Sequence, residues 1–261
     1  VLRVDVKSSL ISLTKPIFPC VCSSGRISPI AFTGLDPDLE ILASRLLSLS
    51  SPSIFEKDMV DIFSDLRDLV IHTELWRRGN VQGMRYEEFG DDQRVNIEHK
   101  LLSLPFECHQ WMGDNSIQGC CRLAALLFIN TVLWLGKNPA LLLFIEVKSN
   151  TTIAWKPASA VLRSLVIALK RSLEGMELQA VWEPHSDMLV WILFLGANSA
   201  LGQVERPWFV SQLAREVISL DLKCWENARA LLLKIFYLDR VQQDGFQVVW
   251  AEVQRVVQAV S

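Results

Sequence analysis

Recognisable chemistry is scarce in this sequence. Tyrosine occurs twice and histidine four times in 261 residues. Neither a phosphate-cradling G-x-x-x-x-G-K-[ST] loop, a G-x-G-x-x-G turn, a G-x-S-x-G elbow nor an H-E-x-x-H pair is present, which removes the motif-based cases for nucleotide, dinucleotide, serine-hydrolase and zinc-protease activity. The six cysteines run from Cys20 to Cys224 without a C-x2-C step; Cys20 and Cys22 are spaced C-x-C, and Cys120 and Cys121 are adjacent. Structural zinc sites need two to four residues between paired ligands, so no zinc module is written here. Charge of one sign is lacking too. Lys and Arg total 26 against 29 Asp and Glu, for a net charge of −3 and a pI near 5.9. Basic residues come in isolated pairs such as Arg77-Arg78 and Lys170-Arg171, and dispersed pairs give no stripe for phosphate contacts.

What is there is apolar mass. Half the residues are hydrophobic, nine are tryptophan and mean hydropathy is +0.25, which predicts several nearly fully buried helices or a surface completed by a partner. The length allows one large domain. Six cysteines with no secretory signal read as free thiols in a reducing compartment, and a first residue of Val1 rather than Met fits a fragment.

Residues 1–35 mix β-branched residues with Pro16, Pro19, Gly25, Pro29 and Gly34 and read as linker or loosely ordered arm. The helical domain is placed at 36–261. Asp36 to Leu49 predicts a first helix, with acids in its first turn to suit the dipole. Ser53 and Glu56 have capping-box spacing and predict a helix start there. Along that helix Phe55, Met59, Ile62, Phe63, Leu66, Leu69 and Val70 form one stripe, and Asp58, Asp61, Asp65 and Asp68 form a solvated face. A connection is expected over 78–92, then a helix capped by Asp91 or Asp92 and ended by Pro105. Asp114 to Leu135 is helical; Ala140 to Val147 is ambiguous between strand and helix; Pro157 suits a helix N1 position. Val161, Leu165, Leu169 and Leu173 mark the next helix, ending near Gly175.

The chain is organised around Met188 to Trp250. From Met188 to Leu195 every residue is apolar, so this helix is buried on all sides or lies in a membrane. The amphipathic helices beside it favour a buried position over a spanning one, and a possible second span, Leu123 to Val147, is interrupted by Lys137, Asn138 and Pro139. Gly196, Ala197, Ser199 and Ala200 permit a close neighbour. Helices follow from Arg206-Pro207, from Trp225 and along Val249, Val253, Val256 and Val260.

Five segments in this region carry a resemblance: Trp191–Ala197 (WILFLGA), Glu205–Val210 (ERPWFV), Leu220–Glu226 (LDLKCWE), Phe236–Val241 (FYLDRV) and Trp250–Val253 (WAEV). With Cys121-Arg122-Leu123-Ala124-Ala125-Leu126 upstream, they resemble the C-terminal helical regulatory domain of fungal zinc-cluster transcription factors, patchily over about 90–255. The resemblance implies a nuclear, all-α domain that modulates an attached DNA-binding module through protein or effector contacts. Two departures stand out. The family usually has Ser-Trp-Glu-Glu where this chain has Cys224-Trp225-Glu226-Asn227, and Cys-Asp-Pro-Pro-Gly in a turn after Leu238-Asp239 where this chain has Gln242, Gln243, Asp244 and Gly245. The family's zinc cluster is absent from these residues, so zinc is expected only in an upstream module.

Other constellations are explained without chemistry. Cys108-His109 followed by Cys120-Cys121 has no ligand spacing, and adjacent cysteines on a helix face apart; buried thiols are expected. Gly113-Asp114-Asn115-Ser116 and Gly196-Ala197-Asn198-Ser199 look like elbows but follow no strand pattern. No catalytic, cofactor-binding or metal-ligating residue is assigned, and an enzyme is not expected. The expectation is an all-α orthogonal bundle or irregular helical array, with a protein partner or homo-oligomer possible, no membrane, and DNA reached only through another module. The alternative is a stand-alone helical interaction protein without a DNA-binding role.

Overall fold

A computed structural model describes residues 2–19, 35–49, 54–78, 86–107, 113–133 and 160–260. Its helices are α1 (Leu2–Ser12), α2 (Pro37–Glu40), α3 (Ser44–Leu47), α4 (Lys57–Arg77), α5 (Tyr86–Glu107), α6 (Ile117–Phe128), α7 (Ala160–Glu174), α8 (Leu178–Trp182), α9 (Ser186–Ser199), α10 (Arg206–Ser219), α11 (Trp225–Leu232) and α12 (Asp239–Val260). A π turn, Ile129–Leu133, prolongs α6, and a 3-10 turn, Glu183–His185, leads into α9. No strand occurs among the described residues. The fold is an all-α array.

The centre is α9. Met188 to Leu195 are all buried because α6, α7, α10, α11 and α12 surround the helix, so it needs no polar face. Gly196 sets the distance to α10: a Cβ there would run into the Phe209 ring. α10 begins at Arg206-Pro207, where proline's missing N–H costs no helical bond. α6 starts from Ser116, whose hydroxyl accepts from the Gly119 amide at 3.0 Å and donates to the Gly113 carbonyl at 2.6 Å. A side chain at Gly119 would strike the Asp114 backbone, so the turn into α6 admits only glycine there.

Several boundaries differ from the sequence reading, each for a tertiary reason. Leu2–Ser12 is helix rather than linker, packed on α5 and α7 with Val6 and Leu10 fully buried; residues 20–34 of that arm lie outside the described residues. The helix expected over 36–49 is broken in two at Ala43, at φ 59°, where the Ala43 and Arg45 amides turn away to the carbonyls of Ile235 and Lys234. α4 starts at Lys57, with Glu56 itself the cap residue; Ser53, its expected partner, lies outside the described residues. Asp91 and Asp92 sit inside α5 instead of capping it, and α5 continues through Pro105. Proline at 105 cannot donate to the Leu101 carbonyl; Arg122 Nη1 donates to that oxygen at 3.3 Å instead. The turn expected at Gln242 to Gly245 is part of α12. The expectations for Cys108, His109, Ala140 to Val147 and Pro157 fall outside the described residues. Among those described, no helix is long and apolar enough to cross a membrane.

Candidate functional site

The residues with candidate chemistry are dispersed. Cys120 and Cys121 are buried in α6. Burial pushes the Cys120 thiol up to about 12 and Cys121 well above the usual range, so both are neutral thiols and poor nucleophiles at neutral pH. Ser116 is occupied as the α6 cap, and Ser199 closes α9 rather than sitting on an elbow. His72 is buried within α4, where desolvation lowers its pKa and favours the uncharged ring. Of the aspartate face, Asp65 pairs with Lys100 at 2.7 Å, and Asp68 lies 3.9 Å from Arg67 with its carboxyl raised by burial. Among the described residues, no three His, Cys, Asp or Glu side chains are grouped to hold a metal ion.

Residues of Trp191–Ala197, Glu205–Val210, Leu220–Glu226, Phe236–Val241 and Trp250–Val253 form clamps between helices. Trp191 of α9 donates from Nε1 to the Phe236 carbonyl at 2.9 Å. The Phe236 ring lies 5.2 Å from Phe128 of α6 and 6.2 Å from both Phe63 of α4 and Trp191, measured between centroids. Phe194 stacks on Phe246 at 5.3 Å and on Trp250 at 6.4 Å, with Trp225 edge-on at 6.1 Å. Arg206 donates to the Ala197 carbonyl and forks onto Glu252 at 2.9 and 3.1 Å, tying α9, α10 and α12. Arg229 of α11 joins Asp239 of α12 and, at 2.7 Å, Asp38 of α2. Arg240 reaches the buried Glu74 of α4 at 3.0 Å. These polar groups fix helix positions, and each charged one already has a charged partner.

A further constellation joins α1, α5 and the π turn. Lys7 of α1 donates from Nζ to Asn130 Oδ1 at 2.8 Å and lies 3.5 Å from Glu98 Oε1, while Asn130 Nδ2 donates to Glu98 Oε1 at 3.0 Å. Glu98 is fully buried, and its second oxygen, Oε2, has no hydrogen-bond partner among the described residues. The π turn places Asn130 there: its amide also donates to the Leu126 carbonyl at 2.9 Å, and such turns frequently mark functional positions. Desolvation pulls the Lys7 pKa down, with Arg94 adding to it and Glu98 opposing. A linker or loosely ordered arm over 1–35, as the sequence suggests, would not bring Lys7 to Glu98. The available signal was Glu98 itself, an acid between Ile97 and Leu101, which are both on the buried side.

No family model, curated protein or solved structure matches the chain.

Proposed function

We propose that this chain is the helical regulatory domain of a fungal-type transcription factor, acting in the nucleus through protein or effector contacts, with DNA contacted by a separate module. What carries the reading is the joining of the resembling segments into one packed unit. Trp191 meets Phe236, and Arg206 meets Glu252, each across more than forty residues of sequence, through the contacts described above. Residues shared with a family for the sake of its fold are expected to behave this way. The slightly acidic charge and dispersed basic residues support a domain that does not itself grip duplex phosphates.

Two measurements test it. Fused to a heterologous DNA-binding domain in a fungal cell, the chain should change reporter output and be found in nuclei; the isolated chain should bind mixed duplex DNA weakly at near-physiological salt. Tight, salt-sensitive binding by the isolated chain would overturn the second expectation. A reporter indifferent to the fusion, with the protein excluded from nuclei, would leave the stand-alone interaction protein as the better reading.

A further inference from the structure

α1 is fastened by a row of ion pairs to α5 as well as by buried apolar residues. Arg3 lies 3.4 Å from Asp91 and 3.1 Å from Asp92, Lys7 lies 3.5 Å from Glu98, and Lys15, just beyond α1, lies 2.8 Å from Glu107. The pairs advance along both segments in the same sense, with every Lys and Arg of residues 1–19 opposite an acid of α5. The apolar part of the contact is short, with Val6 and Leu10 in the core and Leu2 and Leu13 packed at its edge. Val6, Ser9 and Leu10 are the residues α1 buries, while Val4 and Ile11 remain 73% and 47% exposed. The Arg3 and Lys15 pairs are largely solvent-exposed, and exposed pairs hold weakly. A helix this short does not persist alone in water. The Lys7–Glu98 pair is also incomplete, because Lys7 and Asn130 both address Oε1 of the buried Glu98 and, among the described residues, Oε2 has no hydrogen-bond partner.

We infer that the surface formed by α5, the π turn and α7 is a docking groove for a basic amphipathic helix, and that α1 is its resident, displaceable occupant. The resident defines the ligand: cations four residues apart, as Arg3 and Lys7 are, alternating with apolar residues four apart, as Val6 and Leu10 are. An incoming helix with arginine at the Lys7 position would do better than the resident. A guanidinium fork can satisfy both oxygens of Glu98, whereas an ammonium supplies a point charge to one. This inference is independent of the regulatory reading, since a reporter indifferent to the fusion would leave the groove and its occupant unchanged.

The test uses the full chain. Hydrogen exchange should show α1 amides opening at least about tenfold faster than those of α9, and faster still at about 0.5 M salt than at 0.05 M, while α9 is unaffected. A fluorescent peptide of the 2–18 sequence carrying Lys7→Arg should bind the full chain at low salt. It should bind a full-length Lys7→Ala variant, checked for unchanged helix content, about tenfold more tightly because the resident is weakened. Should that variant fail to fold, exchange and titration of the parent chain decide alone. Failure of the peptide to bind the parent and, where it folds, the variant, or α1 exchange equal to that of α9 and indifferent to salt, would show α1 to be a permanent layer of the core and overturn the inference.

Discussion

Ser116 and Cys224 make a comparison the protein sets up for itself. Both stand before a helix in nearly the same backbone conformation, φ −144° and ψ 163° against φ −141° and ψ 164°. The serine hydroxyl accepts from the amide three residues on; the thiol makes no cap hydrogen bond. Glu226 compensates only in part. Its carboxylate accepts from its own backbone amide and then from the Cys224 thiol, which together hold its pKa below the usual value. Replacing Cys224 with Ser and the exposed Asn227 with Glu should therefore raise stability by about 1 kcal/mol, because both reciprocal bonds of a capping box become available. Chemical denaturation of the double variant measures it, and an unchanged midpoint would mean the α11 amides are already satisfied. This cap was legible in the sequence because capping depends on neighbours along the chain. The Glu56 cap was misread for the converse reason: its backbone amide is taken by Gln118 Oε1, at 2.8 Å, from a distant helix.

At the scale of elements, hydrophobic spacing located the helices that bury a stripe or a whole circumference, and misplaced those whose ends depend on another element. Met188 to Leu195 and the α4 stripe are in the first group. The break at Ala43 is in the second, since nothing local to Asp36–Leu49 announces the carbonyls of Lys234 and Ile235. So is α5, whose last turn survives Pro105 by borrowing a donor from α6. Arg122 is 2% exposed, donates to the Leu101 carbonyl, and pairs with Asp114 at 2.8 Å. Burial lowers its pKa and Asp114 works against that shift. Arg122→Leu should cost about 2 kcal/mol, since it leaves the Leu101 carbonyl without that donor, whereas the half-exposed Asp114 can be solvated. Pro105→Ala in the same chain should recover part of that cost, about 1 kcal/mol, by giving the Leu101 carbonyl a backbone donor again. A double-mutant cycle in urea reads the coupling. Strict additivity would mean that Arg122 acts only through Asp114.

Across the whole molecule, the pieces that the sequence could not connect are joined by ion pairs, and the acid response of stability should reveal the most central of them. Arg229 sits between Asp239 and Asp38, so one guanidinium holds α11, α12 and α2. Its hydrogen bond is the main reason the Asp239 carboxyl lies below its ordinary value in the folded state. The sign follows from linkage: the fold favours the ionised form. The contribution is complete above the ordinary unfolded carboxyl value of about 3.9, and it disappears as pH falls through the lowered folded one. Asp68 and Glu216 act in the opposite direction, because burial raises both carboxyls and their protonation relieves a cost. The acid limb of the parent is thus a mixture, and a difference measurement is needed to isolate Asp239. Asp239→Asn should be less stable than the parent near neutral pH, with the gap closing as both are titrated from about pH 5 towards pH 2, where the parent's carboxylate is protonated as well. Urea midpoints at several pH values check this. A gap of constant size across the range would mean that Asp239 contributes shape and hydrogen bonding alone, and that the link between α2, α11 and α12 does not depend on its charge.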